Sequence, residues 1–164
     1  MAETDQPMAG KICLVTGATA GIGEATASGL ASLGATVIVA GRNTERCSAS
    51  VERIKQRTRN PEVAYLVADL ASQREVRRLA DEFKTRYARL DVLVNNAGAI
   101  NLARRSTVDG IELTFALNHL SYFLLTDLLI DLMISSAPAR IVNVSSSSHR
   151  RARMNFENLQ GQWR

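Results

Sequence analysis

Three glycines, Gly17, Gly21 and Gly23, follow the apolar run at 12–15 and open a stretch with helical periodicity. A residue without a side chain permits positive φ and lets a ligand come close to the backbone. A helix that starts at such a turn aims its free N–H groups and the positive end of its dipole at whatever occupies it, which suits a phosphate or pyrophosphate. A tight turn without a ligand has the same glycines. Strand, glycine turn, helix and second strand in succession read as a dinucleotide site, with Thr16, Gly17, Gly21, Ile22 and Gly23 as its candidate residues.

The adenosine ribose of a dinucleotide arrives just after the second strand, where Ala40, Gly41, Arg42 and Asn43 stand. NAD binders place a carboxylate there for the 2′-hydroxyl, whereas a guanidinium pairs with the 2′-phosphate of NADP. With no carboxylate in this stretch, Arg42 predicts NADP ahead of NAD, the alternative being a surface arginine. Further polar candidates are Asp69 after a third strand, the turn Asn95-Asn96-Ala97-Gly98 after a fourth, and the serine run Ser145 to Ser148 after a fifth. Asn118, beside His119 in an apolar helix, is a polar group that burial obliges to find partners.

These residues need elements to hold them. Strands are expected at 12–15, 36–40, 63–68, 92–95 and 141–145. The first helix carries an apolar stripe of Ile22, Ala25, Gly29, Leu30 and Leu33 and stops at Gly34. Thr44 is positioned to cap a second helix that turns Cys47, Val51 and Ile54 inward. Ser72 and Glu75 have the spacing of a capping box ahead of Val76, Leu79, Ala80 and Phe83. A long helix follows at about 110–133. Strand and helix alternate, which gives an α/β fold: a doubly wound, Rossmann-like parallel sheet with its ligand crevice at the carboxyl ends of the strands.

At 164 residues and 46% hydrophobic, the chain reads as a single dinucleotide-binding domain over 1–164, with about five strands. Cys13 and Cys47 are too few and too far apart for a disulfide framework or a metal site, so a reduced, cytoplasmic protein is expected. Residues 1–11 lack the apolar core of a secretory signal. Asn118, His119, Asp127 and Asp131 interrupt the most apolar segment, which is therefore read as a buried helix and not as a membrane span. The net charge is +4, and its arginines are read as a solvated face, with no nucleic-acid partner expected.

The spacing T-G-x-x-x-G-x-G over Thr16 to Gly23 resembles the short-chain dehydrogenase/reductase family, and the resemblance extends over nearly the whole chain. It implies a contact of Asp69 with the adenine edge, and it likens Asn95, Asn96, Ala97 and Gly98 to the N-N-A-G turn that supports the cofactor. Asn118 resembles the helix asparagine that holds a water in a proton relay. The run V-N-V-S-S resembles the strand end with the carbonyl-orienting serine, placing it at Ser146 with Ser145 as the adjacent alternative. The resemblance also asks for a tyrosine with a lysine four residues later, the lysine lowering the tyrosine pKa. Tyr65, Tyr87 and Tyr122 are instead followed at that distance by Asp69, Asp91 and Thr126, and none of them comes after Ser146.

The segment M-N-F-E-N-L-Q-G-Q-W-R resembles the stretch before that tyrosine in the retinol-dehydrogenase-like branch, so the pair is expected beyond Arg164 and the fold is expected to be C-terminally incomplete. Two readings result. One is an NADP-dependent oxidoreductase acting on a small-molecule carbonyl or alcohol, with Ser146 and Asn118 as its catalytic residues and little turnover in this chain. The other is a dinucleotide-binding or scaffold protein without turnover. A fifth strand uncovered on its outer side also predicts self-association.

Overall fold

The computed structural model describes residues 6–151 and 153–162. Residues 1–5 and the end of the M-N-F-E-N-L-Q-G-Q-W-R segment, Trp163 and Arg164, lie outside them. Strands β1 (Ile12–Thr16), β2 (Thr36–Gly41), β3 (Val63–Val67), β4 (Val92–Asn95) and β5 (Arg140–Asn143) form one parallel sheet in the order β3-β2-β1-β4-β5. In register, Val15 stands opposite Val39 on one side and Val94 on the other. The strand order reverses at β1, so a crevice opens there between the loops that leave β1 and β4.

Alternation along β1 and β2 divides the core. Cys13, Val15, Val37 and Val39 face α1 (Gly21–Ser32) and α2 (Thr44–Thr58), packing with Ala27, Ala31, Val51 and Ile54. Leu14 and Ile38 face the opposite way, toward Leu79 and Phe83 of α3 (Gln73–Arg86) and Leu125 and Leu129 further along the chain. Burying one such side chain contributes about 1.5–3 kcal/mol, so both faces of the central strands are stabilised and their near-continuous apolar runs are explained.

Several local expectations change. The buried face of α1 consists of Gly23, Ala27, Ser28 and Ala31, not the stripe of large residues: Ile22 is 69% exposed and Leu33 43% exposed. Small residues form the fully buried face, Leu30 packs partly against the same cluster, and Ile22 and Leu33 are left outside. Asn43, not Thr44, caps α2, its side chain accepting the N–H of Arg46 at 2.8 Å. The capping box of α3 does not form. Ser72 is the N-cap without a side-chain bond, Glu75 pairs with Arg78 instead, and the N–H of Gln73 donates to Asp109 from a distant loop at 2.8 Å.

The long helix, expected from about residue 110, begins at Leu113. A short α4 (Leu113–Phe115) passes through a π-helical segment (Ala116–Leu120) into α5 (Ser121–Ser135). By length and hydropathy, Leu113–Ser135 is apolar enough to cross a membrane. In this fold it is a core helix buried on one face. Leu125, Leu129 and Met133 pack on the sheet and on α3, while Phe123 and Ile134 are exposed.

The arginines are also not simply solvated. Arg53 and Arg57 pair with Glu24 across α1 and α2, and Arg78 bridges Glu75 and Glu82. At the amino ends of β1 and β4, buried Asp91 accepts bonds from Lys11, Arg89 and the N–H of Ile12. Burial alone raises its pKa, but those donors outweigh it and hold the carboxyl below its ordinary value. Burial, and then the nearby Asp91 charge, push the Cys13 thiol up to about 12.

Candidate functional site

The glycine turn is built by three different constraints. Gly17 has φ +64°, and a Cβ there would lie 2.7 Å from the Cα of Ala97. Gly21 has φ +57° with open space around it, so backbone conformation alone selects glycine there. Gly23 is helical, and a Cβ on it would lie 2.4 Å from Nδ2 of Asn96 and 2.5 Å from the carbonyl oxygen of Gly17. The third glycine therefore serves close packing between the turn and the β4 loop, with Ile22 exposed beside it.

Thr16 and Asn95 stand behind the turn. The buried Thr16 hydroxyl donates to the carbonyl of Val94 and accepts the N–H groups of Asn96 and Ala97 at 2.9 and 3.0 Å. Asn95, fully buried, donates through Nδ2 to Thr126 Oγ1 and Asn143 Oδ1, tying β4 to β5 and to α5. Its Oδ1 has no partner among the described residues. These two side chains hold the crevice walls in place through hydrogen bonds made within the protein.

In front of the turn lies a cleft of about 290 Å³, lined by Gly17, Thr19, Arg42, Asp69, Ala97 and Gly98 among others. β2 delivers Arg42 to its rim, and Asp69 follows β3, its Oδ1 accepting the N–H of Ala71 at 3.1 Å in an Asx turn. Asp69 is thus both the turn residue ahead of α3 and an exposed carboxylate on the cleft. The cleft combines a glycine-lined floor with a guanidinium at the end of β2 and no carboxylate beside it. Such a cleft offers backbone N–H groups to a diphosphate and a cation to a further anionic group.

A second groove, between α5 and β5, is lined by Asn118, His119, Tyr122, Thr126, Asn143 and Ser145 among others. Asn118 lies in the π-helical segment, a kind of irregularity that is frequent at functional sites. It is exposed, not buried as its apolar surroundings predicted, and both ends of its amide bind Ala99: Oδ1 accepts the N–H at 3.0 Å and Nδ2 donates to the carbonyl at 2.9 Å. Asn118 therefore pins the loop that follows Gly98. His119 stacks on Phe115 at 5.4 Å. Ser145 faces this groove, while Ser146 sits on the next turn and bonds the hydroxyl of Ser148 at 3.0 Å. Ser146 and Asn118 share no hydrogen bond. Burial raises the pKa of Tyr122, and no lysine lines the groove, so Tyr122 lacks the charge that would make it a proton donor near neutral pH.

Asn96, already placed in the N-N-A-G turn by the resemblance, locks the glycine turn, its Nδ2 donating to the carbonyls of Thr16 and Gly17. Other contributors escaped sequence reasoning. Arg46 and Arg105 also line the cleft in front of the glycine turn. Arg105 could not have been found locally, because its loop reaches the cleft only through tertiary folding. Among the described residues no group of His, Cys, Asp and Glu is placed to hold a metal ion.

Comparison with known proteins adds to this geometry. Residues 11–158 match the family model described as short chain dehydrogenase. Human polyprenol dehydrogenase is 44% identical over 94% of the chain and 48% of its own length. For human retinol dehydrogenase 13 the values are 42%, 94% and 47%. The chain thus spans about half the length of the curated relatives it matches. Among solved structures, a protein of Mycobacterium paratuberculosis is similar with TM-score 0.82 and 38% identity, over 96% of this chain and 54% of that one. The NADP active-site complex of Pseudomonas aeruginosa RhlG is similar with TM-score 0.77 and 34% identity, over 98% and 64%.

Proposed function

The chain belongs to the short chain dehydrogenase family, and on that premise we propose that it holds NADP(H) in the cleft beside Gly17 and serves hydride transfer to or from a carbonyl or alcohol carbon. The observation that carries this reading is Arg42, delivered by β2 to the cleft rim without a carboxylate at the strand end. Solved relatives bound to NADP or NADPH support it. When bound, the nicotinamide ring supplies or accepts the hydride. The chain's own residues do the rest. Gly17 and Gly21 admit the diphosphate, Arg42 offsets the 2′-phosphate charge, and Asp69 takes the adenine edge. In this reading Ser146 orients the carbonyl oxygen and Asn118 supports proton relay by fixing the loop after Gly98. Relatives named for retinol and polyprenol favour a lipophilic alcohol as substrate. Free, buried Cys13 and Cys47 support a reducing compartment, which we take to be the cytoplasm; entry of a tagged chain into the secretory route would remove that part.

The missing Tyr-x-x-x-Lys pair favours a second reading for the chain as it stands: dinucleotide binding without turnover. One set of measurements addresses both. Calorimetric titration is expected to give tighter binding of NADP than of NAD, with the difference reduced in Arg42→Ala; equal affinities in both proteins would overturn the assignment. Turnover of lipophilic aldehydes is expected to be lower, by about 10²- to 10⁴-fold, than in a version extended through a downstream tyrosine and lysine. Equal turnover would remove the role given to that pair.

A further inference from the structure

We propose that Ser50 and Arg53 of α2 are positioning residues for the bound nucleotide, holding the carbonyls of Ala18 and Thr19 back so that the next two N–H groups meet its diphosphate. The inference rests on the nucleotide reading and assigns the residues that prepare the glycine turn for its ligand. Five successive carbonyls of this turn are engaged within the protein. Asn96 takes those of Thr16 and Gly17, and the N–H of Glu24 takes that of Ala20. Between them, the Ser50 hydroxyl donates to the Ala18 carbonyl at 2.9 Å, and Arg53 Nη2 donates to that of Thr19 at 3.4 Å. Neither donor lines the cleft, whereas Thr19 does. The N–H groups of Thr19 and Ala20 have no partner among the described residues.

Peptide geometry turns that asymmetry into a direction. In a planar trans unit the C=O of one residue and the N–H of the next point opposite ways. Drawing the Ala18 carbonyl toward α2 therefore aims the Thr19 N–H away from α2, and the Thr19 carbonyl does the same for the N–H of Ala20. Successive free N–H groups, with the neighbouring carbonyls engaged elsewhere, suit an anion. Ser50 forgoes a nearer bond to take this part. Ser32, Ser121, Ser135 and Ser136 each donate to the carbonyl four residues back in their own helices. Ser50, fully buried, reaches instead to a residue 32 positions away. Its single proton is nearer to Ala18 than to Glu24 Oε2, which lies 3.2 Å from the hydroxyl. Glu24 accepts from both Nε and Nη2 of Arg53 and so fixes that guanidinium beside Thr19.

The test is titration of the full chain, Ser50→Ala and Arg53→Gln with NADP and NAD, followed by calorimetry and by the backbone amide signals of isotope-labelled protein. At saturating NADP the Thr19 and Ala20 amide protons of the parent chain are expected to move downfield, as an N–H does on donating to a phosphate oxygen. Ser50→Ala should reduce the movement of Thr19 and leave that of Ala20, and Arg53→Gln should do the reverse. Both nucleotides carry the diphosphate, so Ser50→Ala should weaken NADP and NAD alike by about five- to tenfold, leaving the preference between them unchanged. A purely structural role would lower the melting temperature without changing either amide's response. Should Ser50→Ala fail to fold, Arg53→Gln still decides, because Arg53 is half exposed and its response is read at Ala20. If the parent chain binds NADP but neither amide moves, or if both variants respond as the parent does, this inference falls and the nucleotide reading stands. A parent chain that binds neither nucleotide removes that reading and this inference with it.

Discussion

Gly21 and Gly23 look equivalent in the sequence, yet they answer to different forces. An alanine at Gly21 meets open space and suffers only from φ +57°, a strain of about 1–2 kcal/mol. At Gly23 the new Cβ would collide with the Asn96 amide and the Gly17 carbonyl, so the turn itself must shift. Gly23→Ala is therefore expected to lose about 1–3 kcal/mol and also to lower nucleotide affinity, while Gly21→Ala retains more of both; denaturant unfolding and calorimetry would read the two. Asp91 gives a second expectation. Its carboxyl is held below the ordinary value, so its stabilisation is complete above the unfolded pKa of about 3.9 and is lost as pH falls through the lower folded value. Unfolding free energy should drop below about pH 4 in the parent chain and change less there in Asp91→Asn, which should be weaker by about 1–2 kcal/mol at pH 7, since Lys11 and Arg89 lose a charged partner but are themselves partly exposed to water.

At the scale of elements, α3 shows how a helix end can be satisfied from far away. Ser72 occupies the N-cap position but makes no cap bond, and Asp109, brought in by the loop before α4, accepts the N–H of Gln73. Asp109→Ala should destabilise the chain by about 1 kcal/mol and increase amide exchange in the first turn of α3. Glu75→Ala should have a smaller effect, since it removes partly exposed pairs with Arg74 and Arg78. A greater loss from Glu75→Ala would restore the capping box that the geometry excludes. The π-helical segment is the other element-level feature: it brings Asn118 to Ala99, and through it α4 and α5 hold the loop that follows Gly98.

For the molecule as a whole, β5 is an edge strand, and Ile141 and Val142 are 38% and 46% exposed on it. An apolar edge with unpaired backbone groups is a template for another strand. The 164-residue chain is expected to self-associate, and Val142→Lys to oppose it. Sedimentation over a wide concentration range decides the matter, and a clean monomer in the parent chain would contradict the expectation.

The sequence by itself determined the sheet and its crevice. Apolar strand runs, glycines after β1 and amphipathic α2 and α3 are local signals, each repeated by the physics of its own element, and Arg42 could be placed by counting from β2. Tertiary structure alone decided which face of α1 is buried. Gly23 is selected by the Asn96 amide and the Gly17 carbonyl against it, and Ala27 and Ala31 by packing with the valines of β1 and β2, which hydrophobic size cannot reveal. It also decided that Asn118 pairs with Ala99, that Asp109 replaces the expected cap of α3, and that Arg46 and Arg105 share the cleft with Arg42. Those contacts join residues far apart in the chain or depend on how one side chain is aimed, and both become fixed only when the helices settle on the sheet.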